Sequence, residues 1–139
     1  MRKLWWLLPL ALLLFTPSST RSPIDRVERI ADAIANAEGY YVPNSRARRN
    51  NNPGDLTAPL GQSYTGYDGQ FVVFATDTDG WNALYILIAD ALNGVSGIYN
   101  ADMSISEFAT HYTATEQAAW ANNVAHILGT SVNTPIKEV

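Results

Sequence analysis

The feature that most limits how this chain can fold is a helical stripe that ends in an acid. From Ile24 to Glu38 the apolar residues Ile24, Val27, Ile30, Ala31 and Ile34 recur at three-and-four spacing, which lines one face of a helix. At roughly 100° per residue Glu38 falls between Ala31 and Ile34 on that face, while Asp25, Glu28 and Asp32 point away from it. A carboxylate held against apolar neighbours loses hydration of its charged form, so its pKa rises. That is the property a general acid needs near neutral pH. The competing fate of a helix-terminal Glu is to curl out into solvent.

Punctuation fixes the helix on both sides. Ser22 is placed to cap it, Pro23 suits its first position, Asp25 completes a capping-box pattern and Gly39 is placed to end it. The next stretch, from Tyr40 to Gly54, has no sustained period and carries Pro43, Asn50, Asn51, Asn52, Pro53 and Gly54. It reads as a structured loop anchored by Tyr40, Tyr41 and Val42. Short extended segments follow at Leu56 to Ala58, Ser63 to Tyr67 and Gln70 to Ala75, with Asp68-Gly69 as a hairpin signal between the last two. A central buried helix is expected over Asp77 to Asn93, opened by Thr76 and Asp79 and closed by Gly94. Ser104 with Glu107, and Thr113 with Glu116, are read as boxes opening two more helices, and the tail after Gly129 as irregular. Helix, loop, small antiparallel sheet and helical remainder make an α+β architecture, with Glu38 between sheet and helices where a groove can form.

At 139 residues the chain has room for one domain, expected over residues 22–136. Arg2 and Lys3 followed by the apolar run Leu4 to Phe15 and the small or polar residues Thr16 to Thr20 have the layout of a secretory signal over residues 1–20. The expectation is an exported protein, periplasmic or secreted, cut between Thr16 and Ser22, with no lasting membrane insertion afterwards. Without cysteine, disulfides, thiol catalysis and thiolate metal sites are excluded, and core packing must stabilise the domain alone. Loss of the leader takes two of nine basic residues and none of 13 acidic ones, leaving a net charge of −6. Nucleic acid is therefore not an expected partner. Arg46, Arg48 and Arg49 are the local exception, either an anion-facing patch or a solvated loop.

Three segments taken together, AIANAEGYYVP at 33–43, RNNNPGDL at 49–56 with FATDTDGWNAL at 74–84, and ISEFATHYT with WANNVAHILG over 105–129, resemble a known family. The chain looks like a lysozyme-superfamily glycan-cleaving domain, close to the lytic transglycosylase-like domains of bacteriophage virions and exported bacterial proteins. The resemblance implies a lysozyme-like fold, peptidoglycan glycan strands as the partner, and cleavage of the β-1,4 bond between N-acetylmuramic acid and N-acetylglucosamine. It implies Glu38 as the catalytic acid, acting without cofactor. The chain departs from the better-known pattern by carrying Gly39 where many relatives carry Ser and by lacking their Gly-Leu-Met-Gln segment, which leaves the product open. An anhydro-forming lytic transglycosylase is the favoured reading. A hydrolytic lysozyme and a non-catalytic glycan-binding or wall-associated protein are the alternatives.

Glycoside cleavage also needs support for positive charge at the sugar carbon. Asp55 and Asp68 are the candidates there, Asp55 against a role bonding turn amides and Asp68 against a role as a hairpin residue. Asn51 and Asn52 are candidates for bonding sugar acetamido groups or holding Glu38, with turn formation equally open. Tyr112 is a candidate for reaching the reacting centre or binding sugar, with core packing as its alternative, and Tyr99 and Asn100 are candidates for the far wall of the groove. His111 and His126 lack metal-ligand spacing, and no metal motif is present.

Overall fold

The computed structural model describes residues 21–139, so the secretory reading of residues 1–20 lies outside the described residues. Helix α1 runs Pro23–Ala37, the short helix α2 Arg46–Arg49, and the hairpin strands are β1 (Tyr64–Asp68) and β2 (Phe71–Phe74). Helices α3 (Asp77–Leu92), α4 (Ile105–Tyr112) and α5 (Gln117–Leu128) follow, and a 3-10 turn spans Ile136–Glu138. The architecture is α+β: helices with one two-stranded antiparallel sheet.

Helix α1 behaves as its stripe requires over most of its length. Ile30, Ala31, Ala33, Ile34 and Ala35 are buried, and Asp25, Glu28 and Asp32 are exposed. Ile24 departs from the expectation and is exposed. The Ser22 hydroxyl accepts from the Asp25 N–H at 3.1 Å. At the other end the Tyr40 N–H bonds to the Ala35 carbonyl at 2.9 Å and the Gly39 N–H to the Asn36 carbonyl at 3.1 Å. This is a Schellman closure, with Gly39 at φ +75° and Tyr40 packed on Ala35. It requires a residue without a side-chain penalty at 39, which accounts for glycine there.

The core forms where α1 meets α5 and α3, and α4 packs on α5. Ile34, Leu84, Ile88, Phe108, Val124 and Ile105 are among its buried members. Nearly every residue from Trp81 to Ala91 is at least partly buried, Asn82 being exposed, as expected of a central helix. Gly80 lets α3 press directly on the preceding loop, since a Cβ there would stand 1.7 Å from the Asn51 carbonyl oxygen. The hairpin pairs Tyr64 with Phe74, Tyr67 with Val72 and Asp68 with Phe71, with a bulge between Tyr64 and Gly66. Its loop is therefore Gly69-Gln70, one residue later than the Asp-Gly signal suggests.

Three further expectations are corrected. Leu56 to Ala58 is not a strand, although the Leu56 carbonyl accepts one bond from the Val72 N–H at 2.9 Å. The loop after α1 is anchored by Tyr40 alone of its three apolar residues, since Tyr41 and Val42 are exposed. Thr113 does not open α5: it is the extended end of α4, its hydroxyl turns to the Thr115 carbonyl, and Glu116 has φ +53° and caps nothing with its side chain. The tail is irregular as expected apart from the 3-10 turn Ile136–Glu138, and it is packed in place. Backbone bonds from Ile105 to Thr134, Ser106 to Val132 and Ile136 to Met103 pin it beside α4, and Ile136 and Val139 are buried. The packed unit thus extends to Val139, three residues past the expected boundary. No helix among the described residues is long and apolar enough to cross a membrane.

Candidate active site

Glu38 is the residue on which α1 stops. Its N–H still bonds back to Ile34 at 2.9 Å, while Gly39 turns the chain away, so the side chain leaves the helix end pointing along the buried face. It is partly buried, and its carboxyl Oε1 accepts a hydrogen bond of 2.7 Å from the indole N–H of Trp120 on α5. Burial pushes its pKa from the ordinary 4.5 to about 7. The Trp120 bond opposes that rise, the negative charge of Asp55 adds to it, and Arg46 opposes it. A carboxyl balanced near neutrality can both give up and take back a proton.

Asp55 is the second carboxylate near Glu38, and it is not free. Arg46 grips it with Nε at 3.2 Å and 3.1 Å from the two carboxylate oxygens and with a short contact from Nη2, while the Asp55 side chain is only 7% exposed. The same guanidinium lies over the Phe71 ring at 3.6 Å. Neither turn-amide bonding nor a bare groove carboxylate describes this residue; it is one half of an ion pair nine positions long. Arg48 rests over the Tyr40 ring at 4.9 Å and Arg49 donates to the Asn44 carbonyl. The three arginines thus act separately rather than as one patch.

The asparagines are sorted by burial. Asn52 is 0% exposed; its amide donates to the Leu56 and Val72 carbonyls at 2.9 Å each, and its oxygen accepts from the Leu56 N–H at 2.8 Å. It cannot meet a sugar, and the substrate-binding expectation for it is corrected: it clasps the loop to β2. Asn51 donates to the Phe74 carbonyl at 3.2 Å and adopts φ +51°, so its amide is also turned to the backbone rather than to Glu38. Asn50, not singled out from sequence, is buried and donates to Asp68 at 3.2 Å.

A cleft of about 320 Å³ opens beside these residues, lined among others by Asp55, Thr57, Leu60, Ile98, Tyr99 and Tyr112. Glu38 does not line it. Asp55 and Tyr112 connect the two, since both line the cleft and both interact electrostatically with Glu38. Tyr112 bonds its hydroxyl to the Gly54 carbonyl at 2.5 Å, and burial, then the Glu38 charge, hold that hydroxyl protonated well beyond its ordinary range. Tyr99 stacks on Phe108 at 4.2 Å between ring centroids, and burial pushes its pKa up to about 12. Asn100 faces away, accepting from the Asp102 and Met103 N–H groups. Among the described residues no group of three or more His, Asp or Glu side chains is arranged to hold a metal ion.

Trp120 is the site residue that sequence reasoning missed. It sits on the apolar stripe of its helix and looks like core; only its indole N–H, aimed across 82 positions of chain at Glu38, distinguishes it. Fold and site together define an α+β domain with a sheltered carboxyl, its pKa pushed up by burial to about 7, near a cleft that Asp55 and Tyr112 line. The chain matches no protein-family model, no curated protein and no solved structure with which it was compared.

Proposed function

We propose that this chain is an exported, lysozyme-like enzyme that cleaves the β-1,4 bond between N-acetylmuramic acid and N-acetylglucosamine in peptidoglycan, as a lytic transglycosylase. The observation that carries the reading is the Glu38 carboxyl, sheltered at the end of α1, hydrogen-bonded once and brought to about 7. In this reaction Glu38 gives its proton to the glycosidic oxygen as the bond to the muramic acid anomeric carbon breaks. The resulting carboxylate takes the proton from the muramic acid 6-hydroxyl, whose oxygen then bonds to that carbon. Atoms balance without water, and the product ends in a 1,6-anhydro ring.

The engagement of Asp55 supports this route over hydrolysis. A carboxylate chelated by Arg46 is poorly placed to attack carbon or to activate water, yet its charge still raises the pKa of Glu38 and favours positive charge nearby. Asp55, Tyr99 and Tyr112 supply the cleft wall against which a glycan strand would lie. A hydrolytic reaction rests on the same proximity of Asp55 and requires Arg46 to release it.

The test is turbidity clearing of purified peptidoglycan by the wild type and by Glu38→Gln, alongside a pull-down on the same sacculi. Clearing lost with binding retained is the expected result. Equal clearing by both proteins removes Glu38 from the chemistry, and a wild type that binds without clearing leaves the glycan-binding alternative in its place.

A further inference from the structure

Glu38 has two carboxyl oxygens, and the structure treats them differently. Among the described residues the only side-chain hydrogen bond to this carboxyl is the one from Trp120 to Oε1. We propose that Trp120 is the positioning residue of the site: its indole N–H pins Oε1 as the acceptor, so that Oε2 is the oxygen that carries the proton and delivers it. The inference rests on the reading of Glu38 as general acid and adds to it which atom acts and what aims it.

An indole has one N–H and no acceptor, so it can bond only to an oxygen lone pair, and the carbonyl oxygen of a neutral carboxyl is the better acceptor of the two. A protonated Glu38 is therefore driven to place its proton on the oxygen that Trp120 does not hold. The indole itself cannot swing away. Its residue is 7% exposed, its ring lies 4.9 Å from that of Tyr112 and 6.2 Å from that of Phe108, and the Phe108 ring is within 8° of parallel. Its backbone N–H is tied to the Glu116 carbonyl at 2.9 Å in the first turn of α5.

The other groups facing Glu38 do not compete for this task. Tyr112 on α4 commits its hydroxyl to the Gly54 carbonyl. Asp55 in the loop is gripped by Arg46 on α2, whose Nε and Nη2 both point at it. These charges bear on how readily Glu38 ionises. They do not orient it.

The experiment compares wild type with Trp120→Phe and with a protein carrying benzothienylalanine at 120, which keeps the bicyclic ring and lacks the N–H. The Glu38 carboxyl is followed by isotope-edited NMR across pH in the absence of substrate, and kcat and KM are followed across pH on peptidoglycan. Loss of a donor to the charged form moves the Glu38 midpoint up by about one pH unit. The same upward movement is expected in the ionisation that governs kcat, with kcat down about tenfold and KM within a factor of two. Replacement of the N–H by sulfur in a well-folded protein with no change in midpoint or kcat overturns the assignment. A wild type with no activity on peptidoglycan overturns the proposed function, and the substrate-free titration then still decides whether Trp120 holds the carboxyl.

Discussion

Replacing Glu38 with Gln should stabilise the protein in alkali and not in acid. In the unfolded chain the carboxyl ionises at its ordinary 4.5, whereas in the folded chain it does so at about 7. Below 4.5 both states hold the proton and the group is neutral in its sheltered position. Between the two values the folded state binds more protons than the unfolded one, so wild-type stability falls as pH rises, and above about 7 the loss is complete. At about 1.4 kcal/mol per pH unit the gap amounts to about 3 kcal/mol. Gln has nearly the same shape, keeps an oxygen for the Trp120 N–H and has no proton to lose. The stability difference between Glu38→Gln and wild type should therefore grow by about 3 kcal/mol from pH 4 to pH 8.5, a widening of roughly 10 °C in the gap between their melting temperatures. Urea unfolding at the two pH values measures it. A difference that does not change with pH would mean that Glu38 is as well hydrated folded as unfolded, and the argument for its acidity would fail.

Three other substitutions probe the surroundings. Asp55→Asn removes a negative neighbour and leaves Arg46 unpaired beside Glu38, so the Glu38 midpoint in a carboxyl NMR titration should fall, opposite in sign to the loss of the Trp120 donor. Gly39→Ser puts a side chain at φ +75° and should cost about 1 kcal/mol in denaturant unfolding. Asn52→Ala removes three hydrogen bonds inside the loop clasp and should cost roughly 3 kcal/mol by the same measurement, well above a typical exposed asparagine.

What could be read from sequence was what depends on near neighbours. The stripe of α1, the closure at Gly39 and the boxes at Thr76 and Ser104 are local interactions, with hydrogen bonds spanning at most five residues, and each occurs in the structure. The inward position of Glu38 followed from the same periodicity. Thr113 misled because a box pattern also fits the short link after a helix: its N–H closes α4 on Ala109, which leaves Glu116 outside the first turn of α5. The rest of the site depends on long-range geometry. Trp120 reaches Glu38 only because α5 packs on α1, and Arg46 reaches Asp55 only because Asn51 and Asp55 take positive φ and fold the loop back. Asn52 carried an ambiguous signal, since a turn-forming amide and a sugar-binding amide are the same group until burial separates them.

The most direct test of the central claim is the mass of the fragments released from purified peptidoglycan by wild type and by Glu38→Gln. The account expects disaccharide fragments one water lighter than reducing-end products from the wild type and none from the variant. The same fragments from both proteins, or none from either, would contradict it.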